Sequence, residues 1–100
     1  MNTIEVIVVR IYIMESSPLL KEMVHYLKNE AKIRGVSVFR AVRGFGETGE
    51  HTTSLLDLSL NLPLTIEFFD HKEKVEPALE HFSQIIKHEH IVFWNAQANV

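Results

Sequence analysis

Residues 4–13 read Ile-Glu-Val-Ile-Val-Val-Arg-Ile-Tyr-Ile, a run in which β-branched side chains dominate. Both alternating sets of side chains in this run are mostly apolar. That pattern is typical of a central strand that is covered on both faces of its sheet. The sequence therefore predicts one long central strand near its start, with the other elements arranged around it.

A helix is predicted over residues 18–33, after a short break in the apolar pattern. The Ser-Ser-Pro sequence at residues 16–18 supplies a hydroxyl cap and a proline suited to the first helical position. Apolar residues then recur at every fourth position, which is the spacing of an amphipathic helix. Gly35 is expected to end the helix as a left-handed C-terminal cap.

Three further strands are predicted, over residues 36–43, 62–69 and 91–94. Leucine alternates with polar residues within residues 52–61, so that stretch is either a short strand or an irregular return. Residues 95–100 contain few strand-forming side chains, and we expect them to form a loose tail.

A second helix is predicted between the last two strands. Asp70, followed three residues later by Glu73, is similar to a capping box. Pro77 interrupts the helical pattern, so either the first turn is kinked or the regular helix begins near Pro77. The resulting order, β-α-β-β-α-β, predicts an α+β, ferredoxin-like sandwich with an antiparallel sheet.

Both helices are expected to cover the same face of the sheet. The other face would carry residues such as Ile11, Phe39, Ala41, Thr65 and Phe69, according to how the strands register. A partly apolar face of that size is rarely left in contact with water. The sequence therefore predicts self-association through this face.

Composition restricts the class of protein further. One hundred residues fit a single domain, here residues 1–100, and 46% hydrophobic with 23% charged residues is ordinary for a globular chain. A net charge of −3 gives no electrostatic basis for binding nucleic acid, and the lack of cysteine excludes thiol chemistry. No signal peptide or membrane span is evident, so a cytoplasmic location is expected.

The motif Gly44-Phe45-Gly46-Glu47-Thr48-Gly49 matches G-x-G-x-x-G. A dinucleotide site would need that motif in the first strand-to-helix turn, whereas here it follows the second strand. Clustered glycines can still expose backbone N–H groups that hold an anion, and Arg40 and Arg43 would supply positive charge. The alternative is a flexible hairpin-like loop without a ligand.

Segments along most of the chain resemble the bacterial and archaeal family called domain of unknown function 190. The similar segments are Arg10-Ile11-Tyr12-Ile13-Met14-Glu15, Val38-Phe39-Arg40-Ala41-Val42-Arg43-Gly44-Phe45-Gly46, His51-Thr52, Leu58-Ser59, Leu62-Pro63, Ile66-Glu67 and Asp70. The Gly-Phe-Gly and His-Thr pair, after the second strand of this topology, is also similar to PII signal-transduction proteins.

This resemblance implies a homotrimer with adenine nucleotides bound in the clefts between subunits. Gly44, Phe45 and Gly46 would line such a cleft with their backbone, and His51 and Thr52 would lie at its loop edge. PII proteins carry a Gly- and Lys-containing phosphate loop between the second helix and the last strand, where this chain has residues 88–90 (His-Glu-His). A monophosphate or another small anion is therefore expected more than a triphosphate.

The function that follows from the resemblance is regulatory. The protein would sense a nucleotide-like anion, with an adenine nucleotide favoured, and report through the loop at residues 44–57 to a partner such as a membrane transporter or channel. No catalytic residues and no resident cofactor or metal are predicted.

Two alternatives remain. The first is a metal-binding trimer similar to copper-tolerance-type proteins, using His88 and His90, with His81 on the same helix; histidines exposed to solvent at a helix end are the simpler interpretation. The second is a structural partner of a transporter complex that binds no ligand.

Overall fold

The computed structural model describes residues 1–46, 49–52 and 62–100, with the backbone alone for residues 43–46 and 49–52. In chain order the described elements are β1 (Thr3–Met14), α1 (Leu19–Asn29), β2 (Val36–Arg40), β3 (Arg43–Gly46), β4 (Gly49–Thr52), β5 (Pro63–Asp70), α2 (Lys72–Ser83) and β6 (Ile91–Asn99). Strands β3 and β4 pair only with each other and form a hairpin between β2 and β5. The β-α-β-β-α-β order predicted from the sequence is confirmed.

The four long strands form one antiparallel sheet in the order β2-β5-β1-β6. Strand β1 is central, as its two apolar side-chain sets predict. Strands β2 and β6 lie at the two edges. This is the strand order of a ferredoxin-like sandwich, in which two split β-α-β units interlock.

Both helices pack on the same face of the sheet, which we call the covered face. From β1 it carries Ile7, Val9 and Ile11, all of them buried. The core also contains side chains from both helices and from β5: Met23, Leu27, Ile66, Phe68, Val75, Ala78 and Phe82. Alternation along antiparallel strands then assigns the even-numbered residues of β1 to the opposite, open face.

The prediction that Ile11 lies on the open face is wrong. It is fully buried and pairs with Ile66 and Ile91 on the covered face, whereas Phe39, Thr65 and Phe69 do lie on the open face. Ala41, which was also expected there, follows the end of β2.

Helix α1 begins one residue later than predicted, at Leu19, and ends earlier. Pro18 occupies the N-cap position, and the hydroxyl of Ser17 just before it accepts a hydrogen bond from the backbone N–H of Leu19 at 3.2 Å. The helix stops at Asn29, and the left-handed residue that follows is Lys32 (φ 57°), not Gly35. The Lys32 carbonyl accepts a hydrogen bond from Nζ of Lys74 at 3.0 Å, which ties this turn to α2.

Helix α2 begins at Lys72 and contains Pro77 within it, so the alternative start near Pro77 is wrong. No capping box forms, because the carboxylate of Asp70 is directed elsewhere. It accepts hydrogen bonds from the backbone N–H groups of His71 (2.7 Å) and Arg34 (3.1 Å). Through these two hydrogen bonds Asp70, which is only 1% exposed, joins the end of β5 to the loop before β2.

The C-terminal residues are not a loose tail, since β6 extends to Asn99. Asn95 pairs with Ile7, and Asn99 pairs with Thr3. The length of β1 explains the difference. Residues 95–99 have low strand propensity, but they pair with the first residues of β1 and therefore form a strand.

Strand β2 is shorter than the predicted 36–43, since it ends at Arg40 before the hairpin begins. Most of the ambiguous stretch at 52–61 lies outside the described residues, and only Thr52 is placed, at the end of β4. Among the described residues no helix is long and apolar enough to cross a membrane.

Candidate functional site

The hairpin of β3 and β4 leaves the main sheet at one end, where β2 and β1 finish and β5 begins. The backbone N–H of Ala41 donates to the carbonyl of Pro63 at 3.0 Å, just beyond the last pair of β2 and β5. The backbone N–H of Glu15 donates to the carbonyl of Leu62 at 2.8 Å. Two backbone hydrogen bonds therefore fix the base of the hairpin at the end of the main sheet.

Six of the seven predicted ligand residues lie on this hairpin, and its register brings them together. Arg43 is opposite Thr52, and Gly44 is opposite His51. Gly46 pairs with Gly49, so three glycines lie within two short strands. Because glycine lacks a Cβ atom, a ligand can approach the backbone N–H groups of such a hairpin closely.

Arg40, the seventh predicted residue, lies at the end of β2. Its Nε donates to Oε2 of Glu15 at 3.0 Å, and the two side chains are 41% and 35% exposed. The sequence alone does not predict this ion pair, because Glu15 is 25 residues away along the chain and comes close to Arg40 only in the folded sheet. Arg40 therefore already has a carboxylate partner at the base of the hairpin.

A second notable surface is the open face of the sheet, which carries an ion pair near its centre. Nε of Arg10 donates to Oε1 of Glu67 at 2.6 Å, and the guanidinium carbon lies 5.3 Å from the centroid of the Trp94 ring. The hydrogen bond to Glu67 and the charge of that carboxylate raise the pKa of Arg10. The pair is thus held between aromatic neighbours on a surface otherwise poor in charge.

Large apolar side chains surround this pair on the open face. They are Ile4, Tyr12, Phe39, Phe69, Val92 and Trp94, each between 38% and 54% exposed. Among the described residues nothing covers them. An open face with this much exposed aromatic surface is typical of an interface between subunits.

The histidines do not converge. The ring of His81 stacks on Tyr26, with the centroids 4.0 Å apart, and Nδ1 of His25 lies 3.0 Å from the amide nitrogen of Asn29. His88 and His90 flank Glu89, which has a positive φ of 68°, in the turn before β6. Within the described ranges, no three His, Asp or Glu side chains gather in a way that could hold a metal ion.

The fold matches solved structures of PII-like proteins. One is a nitrogen regulatory PII-like protein from Thiomonas intermedia K12, CPII, solved with ADP, AMP and bicarbonate bound. The two structures superpose with a TM-score of 0.77 over 99% of this chain and 92% of CPII, at 17% sequence identity. At that identity the match shows the PII-like fold.

Sequence comparisons identify the family. A UPF0166 protein of Aquifex aeolicus is 36% identical over 67 residues, which span 66% of this chain and 63% of the relative. A UPF0166 protein of Methanocaldococcus jannaschii is 30% identical over 78 residues, which span 78% of this chain and 71% of the relative. The family model DUF190, described as "Uncharacterized ACR", matches residues 6–98. The chain therefore belongs to the DUF190 family, as the motifs around the Gly-Phe-Gly segment suggested.

Proposed function

We propose that the protein is a PII-like regulator that binds an adenine nucleotide at the glycine-containing hairpin and signals through the loop at residues 44–57. The main observation in support is the register of β3 and β4, which puts Gly44 opposite His51 and Arg43 opposite Thr52 on a PII-like fold. The structural relative CPII binds ADP and AMP, which supports this class of ligand.

The chemistry of binding would rest on backbone and guanidinium donors. Glycine N–H groups in a hairpin can bind phosphate oxygens, and a guanidinium can neutralise the phosphate with two parallel hydrogen bonds. Arg43 is the better source of that charge, because Arg40 is already paired with Glu15. His51 and Thr52 would add polar contacts from the opposite strand.

Assembly as a homotrimer would complete the site. The open face of the sheet is the surface that we expect each subunit to bury, since it exposes Phe39, Phe69 and Trp94. A closed ring of three subunits would bury every copy of this face and would form clefts between neighbouring subunits. The ligand would lie in those clefts, with the hairpin at their entrance.

Signalling would follow from the effect of the ligand on the loop. A ligand that contacts the hairpin in only one loop conformation shifts the population toward that conformation. A partner protein that recognises this conformation is then bound or released. The hinge would be the glycines, and the rigid base would be the sheet at Ala41 and Pro63.

A thermal-unfolding panel at fixed protein concentration tests the proposal. The panel contains AMP, cyclic AMP, ADP and ATP, each with and without magnesium, together with bicarbonate, zinc and copper. A ligand at 100 times its Kd stabilises the native state by about 2.7 kcal/mol, which raises the midpoint by roughly 10–20 °C for a domain of this size. We expect such a shift with an adenine nucleotide.

The variant Arg43→Ala should reduce the nucleotide shift, and the control Lys21→Ala, which removes one positive charge from an exposed position on α1, should leave it unchanged. A panel without any nucleotide response would contradict the proposal. A response to metal alone that is lost in a His88→Ala, His90→Ala double variant would indicate that the protein binds metal through these histidines instead.

A further inference from the structure

The covered face of the sheet is left partly open at both of its edges. On β6, Phe93 pairs with the fully buried Val9, yet Phe93 is 58% exposed. On β2, Val38 pairs with the fully buried Ile66, yet Val38 is 45% exposed. The two helices therefore cover the middle of the sheet and leave an apolar strip beside each edge strand.

The strip beside β6 has an acidic rim. Glu73, Glu76 and Glu80 line it from α2, and their spacing of three and four residues puts them on one side of that helix. Its apolar part includes Pro77 and Phe93, and no lysine, arginine or histidine is among the described residues that line it. This edge therefore presents apolar surface beside a row of carboxylates.

The strip beside β2 has a basic rim. Tyr26 of α1 stacks on His81 of α2, so that flank of α1 faces the other helix. Val24 and Lys28, four residues apart, lie on the opposite flank next to β2, where Val24 is half-buried and Lys28 is exposed. Arg34, whose side chain is 59% exposed, lies in the loop that leads into β2. The two edges of the sheet therefore carry rims of opposite charge.

Both edge strands direct backbone hydrogen-bonding groups away from the sheet. The N–H of Tyr12 donates to the carbonyl of His90 at 2.9 Å, so the even-numbered residues of β6 bond to β1 and the odd-numbered ones are directed outward. The N–H of Ala41 donates to the carbonyl of Pro63 at 3.0 Å, so the odd-numbered residues of β2 bond to β5 and the even-numbered ones are directed outward.

The two edges match each other in direction and in face. Strands β2 and β6 run in opposite directions, so the β6 edge of one copy can form an antiparallel ladder with the β2 edge of a second copy in the same orientation. The outward-directed residues of both strands, Val38 and Phe93 among them, carry their side chains on the covered face. Such a ladder would continue the apolar surface of the covered face from one copy to the next.

We propose that the β6 edge of each subunit pairs with the β2 edge of the next, with Glu76 and Glu80 facing Lys28 of the partner subunit. This inference rests on the trimeric assembly proposed above and adds the surfaces through which the ring closes. A contact between two different edges generates a closed ring when the rotation between subunits closes. Both sheet edges would then be paired, which accounts for a nine-residue edge strand, Ile91–Asn99, that contains no charged residue or proline.

Pairing of identical edges fits the charges less well. Two β6 edges around a twofold axis would bring two rows of three glutamates together, which like-charge repulsion disfavours. Two β2 edges would bring Lys28 and Arg34 of each copy together. Pairing of β6 with β2 is the arrangement that sets negative against positive charge.

Sedimentation equilibrium of the full chain tests the contact through the charges of the two rims. Glu76→Lys with Glu80→Lys should raise the protein concentration at half-assembly by about tenfold or more, because the small effects of exposed charge pairs add over every contact in the ring. The matched control is Glu22→Lys with Glu30→Lys, which makes the same change in net charge on the flank of α1 that faces α2. Equal weakening in the control would overturn the proposal, since it would show that only net charge matters.

Reversal of both rims distinguishes pairing of unlike edges from pairing of like edges. Lys28→Glu alone should weaken association, because it sets a carboxylate against the glutamate row. Lys28→Glu added to Glu76→Lys and Glu80→Lys should recover most of the loss, because each contact again joins opposite charges. Pairing of like edges gives no such recovery, so its absence would overturn the proposal.

Val38→Pro removes one outward N–H from the middle of β2, which proline at an edge strand can do without breaking a bond to β5. It should prevent assembly, whereas Val38→Thr, which keeps the N–H and the branched shape, should assemble nearly as the parent does. Far-ultraviolet circular dichroism checks that both variants fold, and the charge variants decide the outcome if Val38→Pro does not. A folded Val38→Pro chain that assembles normally would overturn the ladder.

The same measurements separate this contact from the proposals on which it rests. A parent chain that does not associate would overturn both the edge contact and the trimer. Association that every edge variant leaves unchanged would overturn the edge contact alone. Neither outcome depends on the nucleotide panel, which tests the hairpin.

Discussion

The two faces of the main sheet are built from the same four strands, yet they differ in what lies above them. On the covered face Val9, Ile11 and Ile66 are fully buried beneath the two helices. On the open face Phe39 and Phe69 remain about half exposed, beside the Arg10–Glu67 ion pair. Both faces carry large apolar side chains, but among the described residues only the covered face has helices packed against it.

This difference separates folding from assembly. Burial of apolar surface on the covered face stabilises the isolated chain at about 25 cal/mol per Å². The same type of side chain on the open face contributes that free energy only when another surface covers it. The two faces therefore predict different effects for the same substitution.

Phe68 and Phe69 provide the sharpest pair, since they are neighbours in β5 with the same side chain on opposite faces. Phe68 is 2% exposed and Phe69 is 47% exposed. We expect Phe68→Ala to lower the free energy of unfolding by about 3–5 kcal/mol, because it leaves a cavity in the core. Phe69→Ala should lower it by less than roughly 1 kcal/mol in the dissociated chain but should weaken self-association.

Urea unfolding at low protein concentration measures the first effect, and sedimentation equilibrium measures the second. Equal loss of stability in both variants would contradict the division between the faces. Unchanged association in Phe69→Ala would show that the open face is not the interface between subunits.

Asp70, the one buried charged residue among those whose side chains the structure describes, provides a test of the covered face. Burial opposes ionisation of this carboxylate, but hydrogen bonds from the His71 and Arg34 N–H groups and the charges of Lys74 and Arg34 outweigh it, so its pKa lies below the ordinary 3.8. The carboxylate therefore stabilises the fold above that value, and the stabilisation is lost as the pH falls through the folded pKa. We expect Asp70→Asn to cost about 1–3 kcal/mol at neutral pH.

The difference between the parent and Asp70→Asn should shrink below about pH 4, because the carboxylate of the unfolded chain takes up a proton there while that of the folded chain stays ionised, and the difference should be lost below the folded pKa. Unfolding curves of both proteins between neutral and acidic pH measure it. A difference that stays constant over this range would show that the charge of Asp70 does not stabilise the fold.

The Arg10–Glu67 pair should give the smallest effect in the isolated chain. Its side chains are 47% and 28% exposed, and solvent screens such pairs strongly. We expect Glu67→Gln to change the unfolding midpoint of the dissociated chain very little but to weaken association, because the interface would then bury an arginine without its carboxylate. The double variant Arg10→Leu, Glu67→Leu should associate better than Glu67→Gln; the reverse order would place the pair outside the interface.

Periodicity predicted the architecture well but could not assign every face. The apolar positions in residues 18–33 and 62–69 have one dominant phase, and both elements were recovered. Residues 4–13 are apolar on both phases, so the sequence alone could not show that Ile11 faces the helices. The pairing with Ile66 and Ile91 resolves that ambiguity.

Contacts between distant residues account for most of the remaining differences. Lys32, not Gly35, adopts the left-handed conformation after α1, where Lys74 binds its carbonyl from 42 residues away. Residues 95–99 form a strand because the start of β1 pairs with them. In the candidate site, the glycines and Arg43 were identifiable from local sequence, whereas the pairing of Arg40 with Glu15 depends on the sheet.

Titration calorimetry with ADP tests the central claim most directly, because it measures binding and stoichiometry in one experiment on the full chain. The account predicts saturable heat with one ADP bound per chain, and weaker binding in Arg43→Ala but not in Lys21→Ala. Absence of saturable heat at millimolar ADP, with and without bicarbonate, would contradict nucleotide binding at the hairpin.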